Sequence, residues 1–279
     1  MSTSPRYSII AAVRNQYAVN ELFLEYLKKY SKLPHELIII DNASTDGSAE
    51  LFERSGAKVI RNTENYSYPY CQNQGIRAAT TDYFFFLNND LLVSKDWDER
   101  SLSIIKAKSL EVFSWATTDR VENELATKKI KRRWKRIKYF FSYLMGLNRR
   151  SLSWMTRLMY GDWESYTESR HDQFGSKLIE NFSGSAVGMT RAAFNKLGYW
   201  DERIQGADFD LYLRVKERQK KNNDIAPLKL MLGVYLHHFQ RLTINKSEFL
   251  PFKDRDNIIS IEKKWDKEFI KAALQELIV

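Results

Sequence analysis

Along the first third of the chain, short uncharged apolar runs alternate with segments that scatter apolar residues among acids and lysines. Residues 7–13 (YSIIAAV) carry no charge and give way to Arg14-Asn15-Gln16, the pattern of a buried strand. Residues 20–30 set Leu22, Leu24, Tyr26 and Leu27 among charged neighbours and predict a helix. A second strand over 36–40 closes on Asp41-Asn42, and Ser44 to Ser48 supply the capping and turn chemistry for a helix over 49–55. A short strand at 58–60, a helix over 70–79 and an aromatic strand at 83–87 follow. Strand and helix alternate through short connections, so the predicted fold is α/β, a doubly wound, mostly parallel sheet flanked by helices. Further on, the pattern predicts a strand over 184–191, a short helix over 194–200, a polar helix over 206–220 and an apolar strand over 228–239 that ends in a pair of histidines. Ile258, Ile261, Trp265, Phe269 and Ala272 recur at helical spacing and predict one C-terminal helix over 254–279.

Composition narrows the class. The 279 residues are 43% hydrophobic and 14% aromatic, which excludes a disordered chain and allows a sizeable core. The expected organisation is a single domain over 1–279, with a first half at 1–95, a second half at 96–245 and a helical tail at 246–279. The one cysteine, Cys71, has no partner for an internal disulfide and fits a reducing cytoplasm. No stretch approaches the roughly twenty apolar residues of a membrane span, so the expectation is a soluble or peripheral protein. The net charge of +9 is concentrated: residues 125–161 hold eleven lysines and arginines and no acid. Within that segment Ile130, Trp134, Ile137, Phe141 and Leu144 are spaced by four and three, so a helix there has one apolar stripe flanked by cations. Such a helix, over 128–157, can lie in an anionic membrane surface with its stripe inserted. A solvated face on a helix packed against the domain is the alternative. Nucleic acid is not expected, because no reader motif accompanies the basic residues.

The candidate chemistry sits at strand ends. Asn88-Asn89-Asp90 directly follows the aromatic strand, at the edge where open α/β sheets bind ligands, and a carboxylate beside two amides can hold a hard divalent cation and sugar hydroxyls. An Asn-rich turn is the competing reading. Asp41 lies on the same edge and can accept hydrogen bonds from a base or ribose, or merely cap the next helix. Neither a Gly-x-Gly-x-x-Gly turn nor a Gly-x-x-x-x-Gly-Lys-Ser/Thr loop is present, so any nucleotide must be held by carboxylates and metal. His237 and His238 are neighbours on a strand, so their side chains point to opposite faces and only one can reach the crevice, as a metal ligand or as a packed residue.

Taken in order, Ser8-Ile9-Ile10, the stretch from Asp41 to Ser48, Asn73-Gln74-Gly75-Ile76 and Phe86-Leu87-Asn88-Asn89-Asp90 resemble the nucleotide-sugar half of family 2 glycosyltransferases. The run from Gly184 to Arg191, then Phe194, Leu197-Gly198-Tyr199-Trp200-Asp201-Glu202, Asp208-Phe209-Asp210-Leu211 and His237-His238-Phe239 resemble that family's acceptor side. The resemblance spans most of the chain apart from roughly 116–177. It implies a GT-A fold with a basic amphipathic insertion at 117–175, and metal-dependent, inverting transfer of a sugar from a nucleotide diphosphate, uridine by expectation. The acceptor implied is a glycan or lipid-linked saccharide of cell-surface polysaccharide or glycoconjugate synthesis, met at the inner face of the cell membrane. By the same resemblance Asp208 is the general base, and Ala12, Arg14, Asp41, Asn73, Asn88 and Asn89 line the nucleotide sugar. Asp90 with His237 or His238 would ligate Mn2+ or Mg2+, and Gly184, Trp200, Asp201, Glu202 and Asp210 shape the acceptor side. The sequence departs from the family pattern at Asn88, where a carboxylate is usual, and at Ala207, where the residue before the base is usually acidic.

Two rivals have different signatures. A sugar-nucleotide nucleotidylyltransferase shares a similar sheet but opens with a glycine-rich loop after the first strand, and Ala11 to Asn15 contain no glycine. A non-catalytic module that binds anionic lipid or nucleic acid through the basic segment would be indifferent to Asp208.

Overall fold

The structure is a computed structural model, and it describes residues 4–242 and 251–277. In chain order the elements are β1 (Tyr7–Val13), α1 (Tyr17–Tyr30), β2 (His35–Asn42), α2 (Ser48–Arg54), β3 (Lys58–Asn62), α3 (Tyr68–Ala78), β4 (Tyr83–Leu87), β5 (Leu91–Leu92), α4 (Trp97–Ala107) and β6 (Val112–Thr117). There follow α5 (Glu124–Leu144), α6 (Arg149–Tyr160), α7 (Trp163–Phe174), β7 (Leu178–Ile179), β8 (Ala186–Thr190), α8 (Arg191–Leu197), α9 (Ala207–Asn222), β9 (Lys229–His238), α10 (Ile261–Lys264) and α11 (Lys267–Glu276).

One mixed sheet runs β3-β2-β1-β4-β8-β6-β9-β5, with β7 paired to β9. β1 to β4 are mutually parallel, β8 is antiparallel to both its neighbours, and β9 is again parallel to β6. The C-terminal ends of β1, β2, β4, β6 and β9 therefore share one edge, together with the start of the reversed strand β8. The sheet is buried on both faces. Ile9, Ala11 and Phe85 enter one core cluster with α1 and α4, whereas Ile10, Phe84 and Phe86 enter a second with α3 and α9. Full burial on both sides explains why these strands read as continuous apolar runs instead of alternating ones.

The main strands fall where the apolar runs place them, and the differences have local causes. The strand β6 is not among the predicted elements; its run VFSWAT is interrupted by Ser114, whose hydroxyl is buried and donates to Ala186 O at 2.7 Å. Between β6 and β9 the register jumps from Trp115↔Met231 to Ala116↔Tyr235, an irregularity that spans Gly233. At Gly233 a Cβ would lie 2.0 Å from Gly175 O, so only glycine lets the α7–β7 connection pass.

The C-terminal segment is not one helix. Trp265 leaves helical geometry (φ −117°, ψ 144°), after which Asp266 accepts from the amides of Glu268 and Phe269 to start α11. Residues 246–250 and 278–279 of the expected tail lie outside the described residues. This segment is pinned to α9 through Asp210, which is fully buried: Lys264 Nζ lies 2.6 Å and Trp265 Nε1 2.8 Å from Oδ1, with Arg214 Nε 3.1 Å from Oδ2. Asp210→Ala leaves the buried Arg214 without its carboxylate and Lys264 with Asp201 alone, so a loss of ~3–5 kcal/mol of stability is expected, read as a lower denaturant midpoint.

The apolar stripe of the basic segment is present but mostly covered by the protein itself. Trp134 and Phe141 are buried, Ile130 and Ile137 pack against the core, and of the five residues only Leu144 is exposed. Among the described residues, no helix is long and apolar enough to cross a membrane.

Candidate active site

Five chain segments converge on the shared sheet edge. β2 delivers Asp41, the turn after β4 delivers Asn88 to Asp90, and the turn after β6 delivers Asp119. β9 ends in His238, and the N-terminus of α9 presents Asp208 beside the Gly184-Ser185 approach to β8.

β5 pairs antiparallel with β9 in the register Leu91↔His238, and Phe239 N–H donates to Asp90 O at 3.0 Å, which fixes Asp90 against the end of β9. His238 is then held from both sides: Nε2 lies 3.1 Å from Asp90 Oδ1 and Nδ1 lies 2.6 Å from Asp119 Oδ2. Burial alone would lower the His238 pKa, but the two carboxylates outweigh it and push it up to about 10. Burial likewise opposes ionisation of Asp119, yet His238 and the Ser185 hydroxyl, 2.7 Å away, hold its carboxyl down at about 2. The Gln240 side chain also donates to Asp119. Asp119 is not among the residues the sequence singles out. It sits inside the segment that carries no family resemblance, and its only local signal is an acid ending the apolar run of β6.

The histidine pair separates as strand geometry requires. His237 turns to the opposite face, into an aromatic cluster with Trp134, Tyr160 and Phe239, and its Nδ1 is 2.7 Å from Tyr160 Oη and 3.0 Å from Thr118 Oγ1. Burial, with the positive His238 beside it, lowers its pKa to about 3. The expectation that either histidine could meet Asp90 is thereby corrected for His237, which is walled off by α5 and α6.

Asp208 occupies the first turn of α9. Its carboxylate lies so close to Gly184 that a Cβ there would sit 1.9 Å from Asp208 Oδ2. Burial raises the Asp208 pKa above the ordinary carboxylate range, against the backbone amides of Phe209 and Asp208 itself, which lower it. Asp119 adds to the rise through its charge. Asp210, two positions further along the helix, points away and serves the C-terminal ion pairs.

On the β1–β2 side, Asp41 is buried with Oδ1 free of hydrogen bonds, and Arg14 has a buried Nε in the same condition. Burial raises the Asp41 pKa against hydrogen bonds from Ser44. A desolvated polar atom without a partner costs about 1–3 kcal/mol, so such atoms at a sheet edge fit a site that a ligand completes. Ala12 is partly buried on β1 opposite Ile40. Asn89 donates to Asn20 Oδ1 at 2.6 Å, and Asn88 N–H donates to Ser185 O at 3.0 Å, tying the Asp90 turn to α1 and β8.

The remaining predicted residues build a wall. Asn73 on α3 donates to Trp200 O at 2.9 Å and to Glu202 Oε1 at 2.8 Å, and it accepts from Trp200 N–H at 2.9 Å. Trp200 packs edge-on against Phe86 at 5.0 Å. Asp201 is committed to Arg203 at 2.8 Å and Lys264 at 2.9 Å. Asn73 therefore clamps the Trp200 loop, and the expectation that it lines the nucleotide sugar is corrected: its amide and its carbonyl oxygen are both spent on Trp200 and Glu202.

Among the described residues, no group of three or more His, Cys, Asp or Glu could hold a metal ion. Asp90 offers one carboxylate oxygen, and His238 would offer its Nε2 only after giving up the proton it shares with Asp90. That donor set fits a cation held largely by diphosphate oxygens and water, as Mg2+ is in many phosphate sites. It does not fit a closed all-protein cage.

The sequence profile of Glycosyl transferase family 2 matches residues 8–198, which takes in Asp41, Asp90, Asp119 and Gly184 and stops short of Asp208 and His238. A comparison with curated proteins returned no match. GalNAc-T7 and S. aureus TarS share the fold at low identity. GalNAc-T7 with UDP, GalNAc and Mn2+ aligns with a TM-score of 0.54 at 14% identity, covering 85% of this chain and 44% of that one. S. aureus TarS 1–349 aligns with a TM-score of 0.50 at 14% identity, covering 82% of this chain and 60% of that one. The mannosyltransferase PcManGT from Pyrobaculum calidifontis, in complex with GDP-Man and Mn2+, aligns with a TM-score of 0.49 at 15% identity over 83% of this chain and 58% of that one. This chain thus spans less than two thirds of each of these proteins.

Proposed function

Because the chain belongs to glycosyl transferase family 2 and has the GT-A fold, we propose that it transfers a sugar from a nucleoside diphosphate donor, uridine in our reading, to a hydroxyl of a glycan or lipid-linked saccharide. The observation that carries this reading is the placement of Asp208 against Gly184 on the same sheet edge as Asp90, Asp119 and His238.

On this reading Asp41 and Arg14 hold the donor's base and ribose with their free buried atoms, aided by Ala12, Asn88 and Asn89. Asp90 and His238 would hold Mn2+ or Mg2+, the cation taking the place of the proton on His238 Nε2, and the imidazole suits Mn2+ somewhat better. When bound, the cation stabilises the negative charge that grows on the departing diphosphate. UDP and Mn2+ are also bound in the GalNAc-T7 structure that shares the fold. Asp119 acts as a positioning residue, since its contact with Nδ1 fixes the ring of His238 that faces Asp90. Asp208 accepts the proton of the acceptor hydroxyl as its oxygen bonds to the anomeric carbon and the bond to the diphosphate breaks, in one displacement with inversion. A carboxylate with a raised pKa is the stronger base. Asn73, Trp200 and Glu202 form the acceptor-side wall, with Asp201 and Asp210 holding it from behind.

Gly184→Ala follows directly. The added methyl group meets Asp208 Oδ2 and displaces the base, so turnover is expected to fall by ~10²-fold or more while nucleotide binding is kept. Single-turnover rates and nucleotide titrations on the same variant check both halves.

The test of the function itself is release of nucleoside diphosphate from a panel of UDP-, GDP- and dTDP-sugars, with Mn2+ or with chelator. Metal-dependent release from one donor class supports the reading. Failure of every donor, in the presence of a panel of saccharide acceptors, would overturn it. We further infer a peripheral location at the inner face of the cell membrane, where a lipid-linked acceptor would be met.

A further inference from the structure

The exposed apolar residues of this protein are not spread over its surface. Nine of the eleven large hydrophobic side chains that are exposed among the described residues lie between Leu125 and Leu158, on or between α5 and α6. Tyr143 is 90% exposed, and Tyr139, Phe140 and Leu144 are each close to 60%. Met145 and Leu147 continue the patch through the connection, and Trp154 and Leu158 carry it onto α6. Soluble surfaces seldom concentrate apolar residues in this way without a partner.

These residues are interleaved with cations, most of which form no ion pair with a carboxylate among the described residues. Lys131, Arg132, Lys135, Arg136, Arg150 and Arg157 are exposed. Of the eleven cations in the segment, only Lys128 and Arg149 meet a carboxylate among the described residues, Lys128 that of Glu124 at 2.6 Å and Arg149 that of Glu25. Lys138 Nζ stands 5.2 Å above the Tyr139 ring and the Arg157 guanidinium 5.8 Å from the Trp154 ring, so basic groups and exposed aromatics form one surface. The stripe expected to insert into lipid is used up inside the protein: Trp134 and Phe141 face inward, and α6 buries Leu152, Met155 and Met159 on the same side.

The hairpin is also tied to the catalytic edge. α5 begins five residues after Asp119, the Trp134 ring lies 5.0 Å from that of His237, and Trp134 Nε1 and Lys138 Nζ donate to Gln240 O at 3.2 and 3.3 Å. Gln240 in turn bonds Asp119.

We propose that the outward face and tip of the α5–α6 hairpin, led by Tyr139, Phe140, Tyr143 and Leu144 and ringed by lysine and arginine, dock on an anionic phospholipid bilayer. The occupant follows from charge and shape together. A surface rich in unpaired cations attracts phosphate headgroups, and exposed Tyr, Phe, Trp and Leu enter the headgroup boundary. Leu144 at the tip is the one residue of the sequence-predicted stripe that takes part; Tyr139, Phe140 and Tyr143 lie outside that stripe. The inference deepens the peripheral location proposed above and rests on that reading of the acceptor as membrane-borne.

The test uses the full chain and co-flotation with vesicles of phosphatidylglycerol mixed with phosphatidylcholine, against phosphatidylcholine alone. The expected result is binding to the anionic vesicles only. Phe140→Ser/Tyr143→Ser/Leu144→Ser should weaken it by about tenfold or more, because three exposed apolar contacts are lost. Lys135→Gln/Arg136→Gln should weaken it by about tenfold and reduce its salt dependence. All five substituted side chains are exposed, so folding is retained, and circular dichroism confirms it. Equal binding to both vesicle types, no binding to either, or binding that the apolar triple variant leaves unchanged overturns the proposal. So does tighter binding to single-stranded RNA that depends on Lys135 and Arg136 but not on the apolar residues. Donor turnover with a soluble acceptor, measured on the same variants, separates this inference from the transferase reading: turnover without vesicle binding refutes only docking, and vesicle binding without turnover refutes only the donor site.

Discussion

Asp208→Asn is expected to lower turnover by roughly 10²–10⁴-fold, the contribution of a positioned general base, with nucleotide affinity left within about twofold. The amide matches the carboxylate in size, so it fits the space beside Gly184 and keeps the first turn of α9. What it loses is the capacity to take a proton from the acceptor. The wild-type pH profile supplies a second readout. Burial raises the folded Asp208 pKa, and the base works only when ionised, so activity is lost as pH falls through a value above the ordinary carboxylate range. A variant that retains turnover, or one that loses nucleotide binding in step with turnover, would move Asp208 out of the role of base.

Asp90→Asn carries the other large effect. Asp90 is the carboxylate of the turn after β4, and the two positions before it are amides, so no neighbouring acid replaces it. Nucleotide affinity in Mn2+ should fall by more than the roughly 10–100-fold that removing even a supporting partner of a metal ligand costs. Without metal, wild type and variant should bind nucleotide equally weakly. Thermal melting in the absence of metal shows whether loss of the His238 contact alone disturbs the fold.

Much of this architecture is legible in the sequence, for a physical reason. A parallel strand buried on both faces must be apolar along its length, so runs such as YSIIAAV and YFFFL identify themselves. Polar residues at the ends of those runs then mark the sheet edge where the strand C-termini gather, and Asp41 and Asp90 are found there. Asp119 stays hidden because nothing near it in sequence indicates its partner. It reaches His238 through a register jump between β6 and β9 that depends on Gly233 and the α7–β7 connection. Alternation along β9 shows that His237 and His238 face opposite ways, but only the pairing with β5 decides which of them meets Asp90. The stripe of α5 is a related case. Helical spacing finds an apolar face, and what covers that face is decided by tertiary packing, here the core around Trp134 and Phe141. In the C-terminal segment the helical spacing is real, yet Asp266 caps a new helix instead of continuing the old one.

The most direct test of the central claim is a calorimetric titration of wild-type protein and Asp90→Asn with UDP, GDP and dTDP, in Mn2+ and in chelator. The account predicts that one nucleoside diphosphate binds wild type in Mn2+, that chelator removes the binding, and that Asp90→Asn behaves as wild type does without metal. Binding of no nucleotide in Mn2+, or binding that neither chelator nor Asp90→Asn alters, would contradict it.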